Sequence, residues 1–205
     1  KLVQALLEPL TLKKLESQSG DLPLYSEAAP EAFLSIIEED LTKDEPACLA
    51  LMKPIDSAMF GRSHRAGLLW ALENLAWNDS LFMRTVLVLG RLSERVIEDN
   101  LVNKPAGSLS AIFRNWMPQT SADLEGRKKA LSKLAEKFPD VAWSICVDQF
   151  SPHSRFGHYS HKPRWRPDGH GHGNVVAVGE GNDFALHAFN LALAWPHHTR
   201  STVGD

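Results

Sequence analysis

The chain has little cysteine and no long apolar run. Its two cysteines, Cys48 and Cys146, sit far apart in helical-looking apolar segments. That is too few for a disulfide framework and suits a reducing, cytoplasmic compartment. No apolar stretch reaches the roughly eighteen residues that would span a bilayer, so no membrane partner is expected. No basic-then-apolar leader opens the chain either. The formal net charge is only -3, so no global field draws the molecule onto nucleic acid. Catalytic signatures are missing as well: there is no G-x-x-x-x-G-K-[ST], no G-x-G-x-x-G between strand and helix, no G-x-S-x-G and no H-E-x-x-H. ATP hydrolysis and the common hydrolase chemistries have no machinery in these residues, and no cofactor is expected.

What is present is a globular balance. Hydrophobic residues make up 43% and charged residues 23% of 205 residues, enough to bury a full core. Leucines at spacings of three and four predict a helix over residues 2–15, broken at Pro9. "SQSGDLP" reads as a loop. Pro30 then opens a helix with Phe33, Ile36, Ile37 and Leu41 inside and Glu38, Glu39 and Asp40 facing water. A short helix follows from Ala47 to Met52. "RAGLLWALENLAWNDSLFMRTVLVLGRL" predicts a helical hairpin, turned at "WND" with Asn78 or Asp79 as cap. A second hairpin is expected after Pro118: "LEGRKKALSKLAEKF", capped by Thr120 with Asp123 or by Ser121, turns at Pro139 into "VAWSICVDQF". "ALENLA" at Ala71–Ala76 and "ALSKLA" at Ala130–Ala135 suggest a degenerate repeat.

The expected fold is all-α, built of stacked antiparallel helical hairpins over residues 1–150. A His/Gly/Arg-rich loop follows over 151–182, with one β-like run, "NVVAV". A terminal helix, Phe184–Trp195, and a frayed tail complete 183–205. The start at Lys1, inside an amphipathic pattern, points to a piece of a longer polypeptide.

Chemistry concentrates in "HSRFGHYSHKPRWRPDGHGHG", His153–Gly173, which holds five of the nine histidines. Three readings compete for it. His158, His161, His170 and His172 are imidazole ligands for a metal-dependent enzyme, although "HGHG" is too pliable to be preorganised. Arg155, Lys162, Arg164 and Arg166, interleaved with Phe156, Tyr159 and Trp165, suit phosphates and bases, with Lys128, Lys129, Lys133 and Lys137 as a second basic face. The third reading is structural: Trp165 packs against the last hairpin while Arg164 and Arg166 pair with helix C-terminal carbonyls or acids. Trp70, Trp77, Trp116 and Trp143 fall on or near apolar helical faces and are expected to pack.

Several of these residues carry a resemblance. They are Leu69–Trp70–Ala71–Leu72–Glu73, Leu75–Ala76–Trp77, Ser108–Leu109, Ile112–Phe113, Trp116, Pro118, Thr120, Arg127, Trp143 and Lys162–Pro163–Arg164–Trp165–Arg166. Over roughly residues 64–166 they resemble the helical, C-terminal, sensor-like region of large bacterial antiviral defence proteins, of the signal-transducing NTPase (STAND) or sirtuin-like kind. The resemblance implies a regulatory helical segment whose enzymatic module lies elsewhere. The nucleotide-binding module of such proteins is absent here, and the residues after Arg166 match nothing in them.

The resulting expectation is a non-catalytic binding or regulatory segment of a larger intracellular bacterial protein. Its partner would be another protein or another domain of the same polypeptide, contacted through Arg155, His158, Tyr159, His161, Arg164 and Arg166. A nucleic-acid-binding module and a metal-dependent enzyme are the alternatives.

Overall fold

The computed structural model describes residues 1–54, 63–150, 159–169 and 176–197. Among the described residues there are eleven α-helices and no strand. The all-α reading therefore holds. No helix among them is long and apolar enough to cross a membrane.

Helices α1 (Leu2–Leu7) and α2 (Leu12–Ser17) part at Pro9, and Thr11 caps α2 by accepting the Lys14 N–H at 3.3 Å. The expected loop to Pro23 is shorter than the sequence suggests. Helix α3 spans Leu22–Ala28, with Pro23 in its first turn, where the missing N–H leaves nothing unsatisfied. Helix α4 (Pro30–Asp40) buries Phe33, Ile36 and Ile37, and α5 (Ala47–Leu51) follows. Asp40, expected in water, is buried. Its carboxylate accepts the Cys48 N–H at 2.8 Å and pairs with Lys43 at 3.0 Å, tying α4 to the start of α5. An orphan amide at the start of α5 is what draws this carboxylate inward.

Helices α6 (Arg65–Leu75) and α7 (Asp79–Ser93) are joined by a tight turn. Asn78 caps α7, its Oδ1 accepting the Ser80 and Leu81 N–H groups at 3.1 and 3.2 Å. Although α6 touches α7, its chief partner is α3, which the sequence pattern did not reveal. Gly67 lets the turn before α3 approach α6 closely: a Cβ there would stand 1.8 Å from the Ser19 carbonyl oxygen. Arg65 is buried at the start of α6. It grips Asp99 through two bonds of 2.7 Å and donates to the Asn103 carbonyl at 2.7 Å, holding the loop after α7.

Helix α8 (Pro105–Ile112) precedes α9 (Leu124–Lys137) and α10 (Pro139–Asp148). The α9 cap is Asp123, which accepts the Gly126 N–H at 2.7 Å. The other two hydroxyls expected there turn away to the preceding hairpin: Thr120 donates to the Ala76 carbonyl and Ser121 to that of Trp77, each at 2.5 Å. Helix α11 runs from Val178 to Leu193, beginning ahead of Phe184. Val176 and Ala177 lead into it, so the described part of "NVVAV" forms no strand. Tertiary contacts override its glycine-rich start. Glu180 pairs with the buried Arg127 guanidinium, which lies 5.2 Å over the Phe184 ring. Phe82, Phe113 and Phe184 contact in series at 6.2 and 6.1 Å, joining α7, α8 and α11 in one core. The terminal helix thus belongs to the same packed body as α7–α10, and packing reaches beyond hairpins adjacent in sequence.

Candidate functional site

The described part of the polar stretch, residues 159–169, lies as a strap across α3 and α6. Each anchor along it answers a local need for hydrogen bonding or cover. Tyr159 meets Trp77 edge-on, with ring centroids 5.5 Å apart. The Ser160 N–H donates to Gln119 Oε1 at 3.0 Å. Lys162 sets its ammonium 5.1 Å above the Trp77 ring and 5.6 Å from that of Tyr159, a cation–π sandwich. Trp77 itself is fully buried.

His161 adopts a left-handed backbone (φ 49°) and stacks on Trp70 at 4.7 Å with an interplanar angle of 12°. Its Nε2 stands 3.7 Å from Glu73 Oε2. Glu73 also accepts the Ser108 hydroxyl at 2.6 Å. Burial pushes the Glu73 carboxyl up to about 7, with the Ser108 bond working in the opposite direction. Burial likewise holds His161 below the usual imidazole range and raises Tyr159.

Further along, one oxygen of the buried Glu27 carboxylate accepts two consecutive backbone N–H groups, of Arg164 at 3.0 Å and Trp165 at 2.8 Å. Arg166 turns inward and is 8% exposed. Its guanidinium donates to the Ser26 carbonyl of α3 at 3.1 Å, the Asn74 carbonyl of α6 at 2.9 Å and Asp168 Oδ1 at 3.0 Å. A planar fork of five N–H donors can bridge the C-terminal ends of two helices at once. A 3-10 turn, Pro167–Gly169, closes the strap.

These placements revise the expected roles of two residues. Arg166, named for the binding surface, is instead the internal anchor that the structural reading described: it pairs with the carbonyls of Ser26 and Asn74 near the ends of α3 and α6 and with Asp168. Trp165, expected to pack, is 78% exposed. An indole offers one donor and could not replace the guanidinium, so the indole is the group turned to water. Arg164 is exposed beside it, while Tyr159 and His161 are half-buried. Arg155, His158, His170 and His172 lie outside the described residues. Of the tryptophans expected to pack, Trp77 is buried, Trp70 and Trp116 are half-buried, and Trp143 stacks on Trp195 at 4.5 Å.

Glu27, Asn74 and Gln119 were not singled out in the sequence, and Glu73 and Ser108 entered only as letters of the family-like pattern. A signal for two of them was available. Glu73 and Asn74 interrupt an otherwise apolar run, "LLWALENLAW", and a helix apolar on all sides is buried on all sides. Glu73 finds its partner inside, in Ser108, whereas Asn74 takes part through its backbone carbonyl.

The chemistry open to this arrangement is limited. Ser108 donates to the Glu73 carboxylate, a base, but the hydroxyl is buried beneath the strap and does not face a cleft. The thiols of Cys48 and Cys146 are buried and free, and burial raises both, Cys146 to about 12, which makes them poor nucleophiles. Two clefts, of about 390 Å³ around Phe138 and about 140 Å³ beside Trp143, lie away from Glu73. Among the described residues, no three His, Cys, Asp or Glu side chains are placed to hold a metal. On α9, Lys128 pairs with Glu125 at 3.1 Å and Lys133 with Glu136 at 2.7 Å, which neutralises much of the basic stripe. No family model, no curated protein and no solved structure matches the chain.

Proposed function

We propose that this chain is a non-catalytic helical recognition segment whose contact with a protein partner centres on Arg164 and Trp165. One observation carries the reading: a largely exposed tryptophan stands next to an exposed arginine on a backbone pinned from below by Glu27 and Arg166. Tryptophan and arginine are the side chains most enriched where interfaces draw their energy. A backbone already fixed loses little conformational freedom when a partner arrives. Trp165 contributes almost no burial to this fold, so its large apolar face is available to a second surface.

The resemblance to bacterial defence proteins supplies the setting for this reading: a regulatory segment in a larger cytoplasmic protein, touching another domain or a separate protein. The two buried thiols suit such a reducing compartment. Nucleic acid is disfavoured by the ion pairs along α9.

The test is site-specific photo-crosslinking in the producing cell. A benzophenone side chain replaces Trp165 in one version and Val102, which is also exposed, in another. The expected result is one discrete protein adduct at 165, none at 102, and loss of the adduct when Arg164→Glu is added. The same adducts from both positions, or an adduct indifferent to Arg164, would overturn the reading. So would a nucleic-acid product.

A further inference from the structure

Two glutamates lie beneath the strap, and their surroundings differ. Glu27 Oε2, on α3, accepts two consecutive amide N–H groups, so the strap's own backbone stabilises its charge. Among the described residues, Glu73 on α6 has a single hydrogen-bond donor, the Ser108 hydroxyl, 2.6 Å from Oε1. Its other oxygen, Oε2, faces His161 Nε2 at 3.7 Å, which is beyond hydrogen-bond reach. The Glu73 side chain is only 16% exposed. A carboxylate so covered and so sparsely bonded is costly, whereas a protonated carboxyl is not.

The strap's contribution to this cover is the imidazole ring of His161. Trp70 and Glu73 are three residues apart and share one face of α6, and His161 stacks on the first while facing the second. It does so from a left-handed backbone, φ 49°, which is uncommon for a residue other than glycine. The stack thus holds the ring against the local preference of the chain.

The charged groups on the neighbouring elements are engaged elsewhere. On the strap, Lys162 lies over Trp77, Arg166 bonds two helix carbonyls and Asp168, and Arg164 is exposed. Arg65 on α6 grips Asp99, Lys104 before α8 donates to the Asp99 carbonyl, and Glu27 on α3 takes the strap amides. Among the described residues, the one ion-pair distance from either Glu73 or His161 is the one between them. Burial holds His161 below 6.5 and Glu73 up at about 7. Above pH 6.5 the imidazole is therefore neutral, and Glu73 is the group that changes charge.

We infer that the His161 end of the strap is a pH-sensitive latch: ionisation of Glu73 lifts the imidazole off Trp70, while the Arg164–Arg166 end stays fastened. Lifting gives the carboxylate access to water, and a neutral ring could bond it only by leaving the stack. The other end holds because Glu27 and Arg166 fasten it through bonds in which Glu73 has no part. Opening the latch bares the Trp70 face, so the aromatic surface around the strap grows as pH rises. The inference rests on the strap's own contacts and stands or falls apart from the Arg164–Trp165 recognition reading.

Nuclear magnetic resonance on the full chain from pH 6.5 to 8 tests this. The Trp70 indole shifts the His161 ring protons upfield while the two rings are stacked. If the lifted state restores the ordinary 4.5 of Glu73, the stacked-to-lifted ratio falls about fourfold across this range. The expected result is loss of the upfield shift in step with the Glu73 Cδ titration, while exchange of the Arg164 and Trp165 amides, relative to their intrinsic rates, stays constant. Glu73→Gln keeps the ring shift flat. Ser108→Ala, which removes a bond favouring the carboxylate, moves both midpoints to higher pH. A wild-type ring shift that stays flat or grows as Glu73 ionises would overturn the inference. So would a loss of shift that persists in Glu73→Gln, midpoints unmoved in Ser108→Ala, or loss of protection at 164 and 165 in step with His161.

Discussion

Glu27 Oε2 accepts the backbone N–H of Trp165 at 2.8 Å, and the same oxygen takes the Arg164 N–H at 3.0 Å. A short helix near the start of the chain thereby fixes the backbone on which Trp165 is displayed. Hydrogen bonds to a charged acceptor contribute about 1.5–3 kcal/mol each, but these two N–H groups sit at the surface and can turn to water when the acceptor is removed. Glu27→Ala is therefore expected to lower stability by only about 1–2 kcal/mol. The larger effect is local: amide hydrogen exchange at residues 164 and 165 speeds up at least tenfold while α6 stays protected. Unchanged exchange at both amides would mean that Glu27 does not hold the strap.

The two arginines that flank Trp165 should respond differently to substitution. Arg166 bridges α3 and α6, and without it the buried Ser26 carbonyl, four residues before Pro30, would lose its hydrogen bond. Arg166→Lys retains the charge but supplies a point donor in place of a fork, and is expected to destabilise by about 2–4 kcal/mol. Arg164→Ala, at an exposed position, should fall within about 0.5 kcal/mol of the wild type while weakening partner binding. Urea unfolding of the two variants gives the comparison. Equal midpoints would contradict the buried bridge.

Periodicity made the helices legible because apolar spacing and prolines in first turns are local signals. It located α4, α6, α7, α9 and α10 closely. It missed α3, where "DLPLYSEA" reads as loop through its proline, although an Asp before a first-turn proline is also how a helix begins. It also delayed α11 past Val178, since the glycines at 179 and 181 argue against helix until the Arg127–Glu180 pair forms across the fold. The first miss bears on the candidate site, because α3 supplies Ser26 and Glu27. Which of three neighbouring residues, Arg164, Trp165 or Arg166, points inward depends on carbonyls at the ends of two helices distant in sequence. Composition of the strap alone could not rank them: it placed the tryptophan inside, and it left Arg166 on the binding surface in one reading and paired with helix carbonyls in another.

Glu73 links the strap to pH. Burial lifts its carboxyl from the ordinary 4.5 to about 7, so between those values the folded chain holds a proton that the unfolded chain has released. Stability contributed by Glu73 is therefore greatest below about pH 4.5 and falls as pH rises toward 7, by about 3 kcal/mol at most. His161 acts in the opposite sense. Burial lowers it beneath 6.5, so the unfolded chain binds a proton there that the folded chain declines, and stability drops as pH falls below 6.5. In the wild type the two trends partly cancel near pH 6. Glu73→Gln keeps an oxygen for the Ser108 hydroxyl and removes the buried charge. It should be more stable than the wild type at pH 8, by up to about 3 kcal/mol, and indistinguishable from it near pH 4.5. With Glu73 silenced, the variant should show the His161 trend alone, losing stability as pH drops below 6.5. Urea midpoints at half-unit intervals from pH 4.5 to 8 measure both curves. A Gln variant no more stable than the wild type at pH 8 would show that Glu73 is not buried as a costly carboxylate beneath the strap.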